Sequence, residues 1–392
     1  MGAQRRLLAL PLAAVALSAG DPAASDFAAD ALSIEKLINE DYAYLERFPG
    51  GRMPMTEKLR AEAAAVDTKE ELVRYAERAL MLLADHHAIT GSSQKDSWAL
   101  VPSYSDLSVE KRAKEYVITA VRRGSPAEQA GVKQGDRLVA VGGTPMPTAV
   151  ARFWADLGLP VTDERGGYAA RLLAAGRRSQ PRQLTIAGPA GTGRVLNLPN
   201  LYGRTLPDRP RVSANEEGPD LLIRIHDSLG SNDALKAFDR IMAGARPMQR
   251  VIVDLTDTPG GGNTTVARGI LGWFVTRPTF YQQHSLPAEE RQHGVARQWV
   301  EQVLPRAGKH HRGPVTVRVG RWTGSMGEGL AIGFDAIGAR VEGDRMAGLR
   351  GAIYDYKLEK SGMVIKFPVE RLFHVNGTPR EQFVPQAARV HR

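Results

Sequence analysis

Two segments in the second half of the chain repeat one local pattern, and that pattern limits the folds available. Val251-Ile252-Val253-Asp254-Leu255 is an apolar run that breaks into Pro259-Gly260-Gly261-Gly262-Asn263. Val315-Thr316-Val317-Arg318-Val319 runs into Thr323-Gly324-Ser325-Met326-Gly327-Glu328 and then an apolar stretch. Each reads as a buried strand, a tight turn and a helix. Ahead of them lies Leu221-Leu222-Ile223-Arg224-Ile225, then a helical pattern over 233–243 behind Ser231 or Asn232. Strand, helix and strand in succession call for a crossover into a parallel sheet, so this part of the chain is α/β.

The two turns carry chemistry as well as shape. Glycines let backbone N–H groups approach a ligand oxygen closely. A serine where a strand turns into a helix sits among that helix's unpaired N–H groups. Ser325 is therefore a candidate nucleophile, and the N–H of Met326 with that of Gly260 or Gly261 is a candidate oxyanion hole. A plain strand-to-helix turn would account for one glycine, but three in a row after Pro259 exceed what a turn needs. The Gly-rich loop lacks the Gly-Lys-Ser/Thr of a phosphate cradle, so no nucleotide is implied, nor any metal. Asp254 reads as a residue that fixes the following loop, and Glu328 as a partner of its helix's dipole.

The chain has 392 residues, enough for several domains, with 43% hydrophobic and 24% charged residues, as in ordinary globular proteins. Its net charge of +9 is scattered, with no interleaved aromatics, which argues against a nucleic-acid partner. Arg5-Arg6, an apolar run from Leu7 to Ala19 and small residues to Ala24 read as a signal peptide over 1–24, so a periplasmic or secreted protein is expected. No later stretch is apolar enough for a membrane helix, so no integral membrane segment is expected in the mature protein. With no cysteine there is neither disulfide nor thiol nucleophile.

Residues 28–105 read as a helical subdomain, with Ser33 as a possible N-cap, stripes through Leu32, Leu37, Ile38 and through Leu72, Tyr75, Ala76, Ala79, and Pro49-Gly50-Gly51 between them. Residues 106–200 are strand-rich, with Ser125-Pro126 opening a short helix and Gly131 and Gly135 punctuating turns. Polar, Pro-rich sequence over 196–220 reads as a linker into a core over 201–392. Within that core, 278–314 reads as a possible lid with one helix over 288–304.

These motifs carry a resemblance. Asp254-Leu255-Thr256-Asp257-Thr258-Pro259-Gly260-Gly261-Gly262 and Thr323-Gly324-Ser325-Met326-Gly327-Glu328 resemble segments of the tail-specific (C-terminal-processing) serine proteases, which share their catalytic core with tricorn. Residues 106–200 resemble a PDZ domain, a fold that takes an extended peptide by strand addition and captures its terminal carboxylate. Arg122, Arg123 and Arg137 are candidates for that anion, and a PDZ-like fold used only as a spacer is the plainer alternative. The resemblance implies a multi-domain α/β chain: a helical subdomain, a PDZ-like domain and a crotonase-like catalytic core.

It also implies a base for Ser325. In the lysine form of the family the base falls here on Arg350, which keeps its proton and cannot serve. In the histidine form, Asp85-His86-His87-Ala88 stands in the place of the catalytic segment, making His87 the general base, with His86 in place of a glycine. Glu381, within Gly377-Thr378-Pro379-Arg380-Glu381, matches the orienting acid, although Gln386 replaces an aspartate found in that form. His310-His311 read as solvated; His226 and His374 stay open. The resulting expectation is an exported serine endopeptidase acting on protein or peptide substrates without cofactors. A catalytically inactive binding or scaffold protein and an esterase-like hydrolase are the alternatives.

Overall fold

The computed structural model describes residues 25–188, 191–203 and 210–386, so the expected signal peptide and Gln386's downstream neighbours lie outside the described residues. Helix α1 (Asp26–Asp41) is capped by Ser25, whose hydroxyl accepts from the Ala28 N–H at 3.1 Å. Ser33 is therefore inside the helix, and Leu32 is exposed while Ile34 and Ile38 are buried. Helices α2 (Glu57–Ala64) and α3 (Lys69–Met81) follow. The α3 N-terminus is closed by Thr68 and Glu71, each side chain accepting from the other's backbone N–H. Beyond α3 the chain turns through Ala84, at φ 45°, and Asp85 to His87, then enters the short strand β1 (Ile89–Thr90).

The next sheet is antiparallel. It comprises β2 (Leu107–Arg112), β3 (Glu115–Val121), β4 (Arg137–Val141), β5 (Thr144–Pro145), β6 (Arg182–Ala187) and β7 (Gly193–Leu198), in the order β2-β3-β4-β6-β7 with β5 on β4. Helix α4 (Pro126–Gln129) is capped as its sequence suggests, Ser125 Oγ accepting from the Glu128 N–H at 3.2 Å. Two helices, α5 (Met146–Asp156) and α6 (Asp163–Ala175), lie between β5 and β6. Beneath them Arg182 forms a bidentate pair with Asp106 at 2.6 and 2.9 Å, both side chains sealed from solvent.

The core begins with β8 (Val212–Glu217) and β9 (Asp220–Ile225), an antiparallel pair that replaces the last part of the expected linker. There follow β10 (Ser228–Leu229), α7 (Asn232–Ala243), β11 (Val251–Asp254), β12 (Asp257–Thr258), β13 (Gly260–Gly262) and α8 (Thr264–Leu271). Then come β14 (Thr279–Ser285), α9 (Pro287–His293), β15 (Gln298–Val303), β16 (Val315–Val319), β17 (Trp322–Thr323) and α10 (Met326–Ala336). Strands β18 (Arg340–Gly343), β19 (Ala352–Lys357) and β20 (Val364–Phe373) complete it. The main sheet has the order β18-β16-β11-β9-β8 and is parallel except at the β8 edge.

The expected lid helix over 288–304 is corrected. Helix α9 stops at His293, Gly294 adopts φ 70°, and the rest forms β15 against β14. Trp299, Val300 and Val303 favour an extended backbone more than a helix. His311 is also not solvated: it is buried, with Nε2 2.7 Å from the Gln249 carbonyl.

A second sheet, β1-β20-β14-β15 with β19 on β20, joins the first part of the chain to the last. Ile89 pairs with Lys366 and Thr90 with Ile365, so the helical subdomain is stitched to the core two residues beyond His87. Among the described residues no helix is long and apolar enough to cross a membrane. Removing one partner of the sealed Arg182–Asp106 pair leaves an uncompensated buried charge. Arg182→Ala is therefore expected to destabilise the protein by about 3–5 kcal/mol in chemical denaturation, whereas a surface substitution such as Lys36→Ala stays within about 0.5 kcal/mol.

Candidate active site

The two strand–turn–helix units lie side by side. β11 and β16 are parallel neighbours, and the turns beyond them pair again through β12 and β17. The Thr323 hydroxyl donates to the Leu255 carbonyl at 2.7 Å, and the Gly324 N–H to the Thr258 carbonyl at 3.0 Å. These bonds tie the serine turn onto the glycine loop. Ser325 then adopts φ 53° and ψ −116°, a conformation a non-glycine residue holds only under constraint. The strain lifts its hydroxyl clear of the helix and leaves the residue partly exposed.

Facing it is His87. Its Nε2 is 3.0 Å from Ser325 Oγ, and its Nδ1 is 2.5 Å from the backbone carbonyl of Arg350. A carbonyl oxygen only accepts, so Nδ1 carries the hydrogen and Nε2 is left to accept from the serine. The ring is buried, and burial together with the nearby Arg380 charge lowers its pKa from 6.5 to about 4, against the carbonyl contacts and Asp85, which raise it. At neutral pH the imidazole is uncharged and can take a proton.

The expected acid does not meet the ring. Glu381 makes no hydrogen bond with His87, and its Oε2 is buried without a partner among the described residues. Nδ1 is already engaged by Arg350, so the direct Glu381 contact is corrected to a backbone carbonyl. Burial lowers the pKa of Arg350, but Asp85, Tyr42, Glu164 and, least, Glu381 raise it by more.

Arg380, its neighbour, is the residue that sequence reasoning missed. Its buried guanidinium donates to the Leu349 carbonyl at 2.9 Å and the Gly351 carbonyl at 2.7 Å, bracketing the carbonyl that holds His87. Glu328 fixes the same segment from the other side. Its fully buried carboxylate accepts from Ser325 N–H (2.9 Å), Gly348 N–H (2.9 Å) and Leu349 N–H (3.3 Å), and lies 4.0 Å from Arg380. Burial pushes its pKa up to about 7, against Arg380 and the backbone donors. Only its place in the first turn of α10 was legible beforehand.

The oxyanion candidates divide. The Gly260 N–H donates to the Asp227 carbonyl at 2.6 Å, so its place in the hole is corrected. Gly261 is exposed and faces the nucleophile: a Cβ placed there would lie 3.2 Å from Ser325 Oγ. Met326 supplies the first amide of α10, which has no acceptor within its helix. The other open histidines have partners elsewhere, His226 at Ser213 and His374 at Asp335. Among the described residues no group of acidic or histidine side chains could hold a metal ion.

A PDZ-type sheet joined to an α/β core with a strained serine at a strand-to-helix turn defines the class: the protein is a serine peptidase. Residues 221–385 match peptidase family S41 and residues 117–152 match a PDZ domain. The fold is shared with the photosystem II D1 C-terminal processing protease, at TM-score 0.56 and 16% identity over 92% of each chain. It is shared equally with mature CPAF, at TM-score 0.56 and 13% identity over 92% of each chain. No curated protein matches the sequence.

Two pH effects follow from these pKa directions, with opposite signs. A histidine held below 6.5 contributes stability that is complete above 6.5 and lost as pH falls toward about 4. A carboxyl held above 4.5 contributes stability that is complete below 4.5 and lost as pH rises through about 7. Glu328→Gln removes the second effect alone. Its stability relative to the wild type is expected to improve as pH rises from 4.5 to about 7, as measured by denaturant titration at each end.

Proposed function

We propose that this peptidase is an exported endopeptidase in which Ser325 is the nucleophile and His87 the general base. The observation that carries the reading is the 3.0 Å contact between Ser325 Oγ and His87 Nε2, with the accepting tautomer enforced by the Arg350 carbonyl. As Oγ bonds to the scissile carbonyl carbon, its proton passes to Nε2. The oxygen of the tetrahedral intermediate takes its negative charge between the N–H groups of Met326 and Gly261. Collapse returns the Nε2 proton to the leaving amine and leaves an acyl-serine. Water, deprotonated by the same nitrogen, then attacks the acyl carbon, and the bond from that carbon to Oγ breaks as Nε2 returns the proton to Oγ, releasing the new carboxyl terminus.

The imidazolium formed on the way keeps its Nδ1–H on the Arg350 carbonyl, and the Asp85 charge favours it. The PDZ-type domain supports a substrate presented as an extended or C-terminal tail, because β2 is the edge strand of its sheet. The basic and apolar start of the chain supports export.

Labelling with a fluorophosphonate tests the chemistry. The wild-type protein is expected to react at Ser325, and Ser325→Ala and His87→Ala to lose labelling by at least about 10³-fold. Failure of the wild type to react beside a known serine peptidase would favour the scaffold alternative. The rate should fall on the acid side around pH 4 rather than 6.5, following His87. Gly261→Ala places a methyl 3.2 Å from Oγ, and is expected to slow labelling roughly 10–100-fold while leaving the unfolding midpoint unchanged.

A further inference from the structure

A closed circuit of hydrogen bonds surrounds His87. From Nδ1 it runs to the Arg350 carbonyl at 2.5 Å, and the guanidinium of Arg350 donates to Glu164 Oε1 at 2.7 Å. The same oxygen accepts from Arg47 at 2.7 Å, and Arg47 donates in turn to the Tyr42 hydroxyl at 2.7 Å. Tyr42 donates to Asp85 Oδ2 at 2.8 Å, and Asp85 Oδ1 takes the backbone N–H of His87 at 2.9 Å. The circuit thus leaves His87 by its side chain and returns by its main chain.

The formal charges balance, two arginines against Glu164 and Asp85. The members come from three parts of the fold: Tyr42, Arg47, Asp85 and His87 from the helical subdomain, Arg350 from the core, and Glu164 from the first turn of α6. Glu164 is the sole contribution of the PDZ-type domain, and it is the joint at which both arginines meet. It is also the circuit's exposed point, with a side chain 47% accessible against 24% and 13% for Arg350 and Arg47.

We infer that Glu164 is a positioning residue for the peptidase reaction, holding Arg350 so that its carbonyl fixes the His87 ring. This rests on the proposed Ser325–His87 chemistry. Without Glu164, Arg47 and Arg350 repel each other across the gap, the 350 carbonyl loses its anchor on that side, and the ring is free to turn away from Ser325.

Glu164→Gln keeps the size of the side chain and the helix start while removing the charge that binds two arginines. The control is Asp156→Asn, which breaks a different ion-pair cluster between the helical subdomain and α5, with Lys58 and Arg78, that shares no residue with the circuit. Fluorophosphonate labelling of Ser325 is expected to slow about tenfold in Glu164→Gln, to recover to within about threefold in Glu164→Asp, and to change less than twofold in Asp156→Asn.

A second readout needs no catalysis. In the Ser325→Ala protein the His87 Nδ1–H proton, observed by NMR, is expected to exchange with water at least tenfold faster once Glu164→Gln is added. Unchanged exchange overturns the inference, as does equal slowing of labelling in Glu164→Gln and Asp156→Asn, which would indicate mere loosening of domain contacts. If the wild type is not labelled at all, the catalytic reading fails on its own, and the exchange measurement still decides whether Glu164 holds the ring.

Discussion

The hydrogen bond from His87 Nδ1 to the carbonyl of Arg350 is the contact on which the rest of the site depends. It selects the tautomer, aims Nε2 at Ser325 and fixes the ring in its plane. A backbone carbonyl is only as well placed as the chain that bears it, and this one is held at every neighbouring residue. Glu328 takes the N–H groups of Gly348 and Leu349, and Arg380 takes the carbonyls of Leu349 and Gly351. Since Glu328 also takes the Ser325 N–H, one carboxylate sets the spacing between the Ser325 turn and the loop that holds His87.

A carbonyl in this role differs from a carboxylate in the charge it offers. Both hold Nδ1–H, but a full negative charge beside the ring stabilises imidazolium more than a dipole does. The buried ring with Arg380 near it therefore sits below the ordinary histidine range. In the proposed reaction the base is therefore uncharged at neutral pH before substrate arrives and pulls less on the serine proton, so transition-state stabilisation falls more heavily on the oxyanion donors, which act only once charge develops. The strained Ser325 backbone fits that division, because the residue that bears the hydroxyl adjoins the free Met326 amide at the start of α10.

What could be read beforehand was what short stretches of sequence determine by themselves. Strands followed by glycine turns, Ser125 with Pro126 at a helix start, and a parallel core all follow from local spacing and capping chemistry. The meeting of His87 with Ser325 came from family resemblance, since 238 positions separate them and no local pattern links them. Strand β8 reads as linker in the sequence because it is an edge strand with mostly exposed, polar side chains, so no alternation marks it. The Arg350 carbonyl was invisible in principle: every residue has a carbonyl, and only the fold selects one. Arg380 leaves only a faint trace in the sequence, as an arginine flanking the candidate acid.

Arg350 serves the site with two separate parts of one residue. Its side chain cannot lose its proton and so cannot act as a base. The guanidinium instead turns outward to Glu164 while its own carbonyl turns toward His87, so one residue serves as anchor and as orienting acceptor. Such a residue can orient a base only if that base is delivered from elsewhere, and the pairing of β1 with β20 delivers it, two residues past His87. Ser325 and His87 thus lie in turns beside strands of different sheets, and their 3.0 Å contact is a property of how those sheets are joined. A short edge strand of two residues carries little stability of its own. The buried Tyr42–Asp85 bond and the bond from Asp85 to the His87 backbone supply the rigidity that β1 lacks.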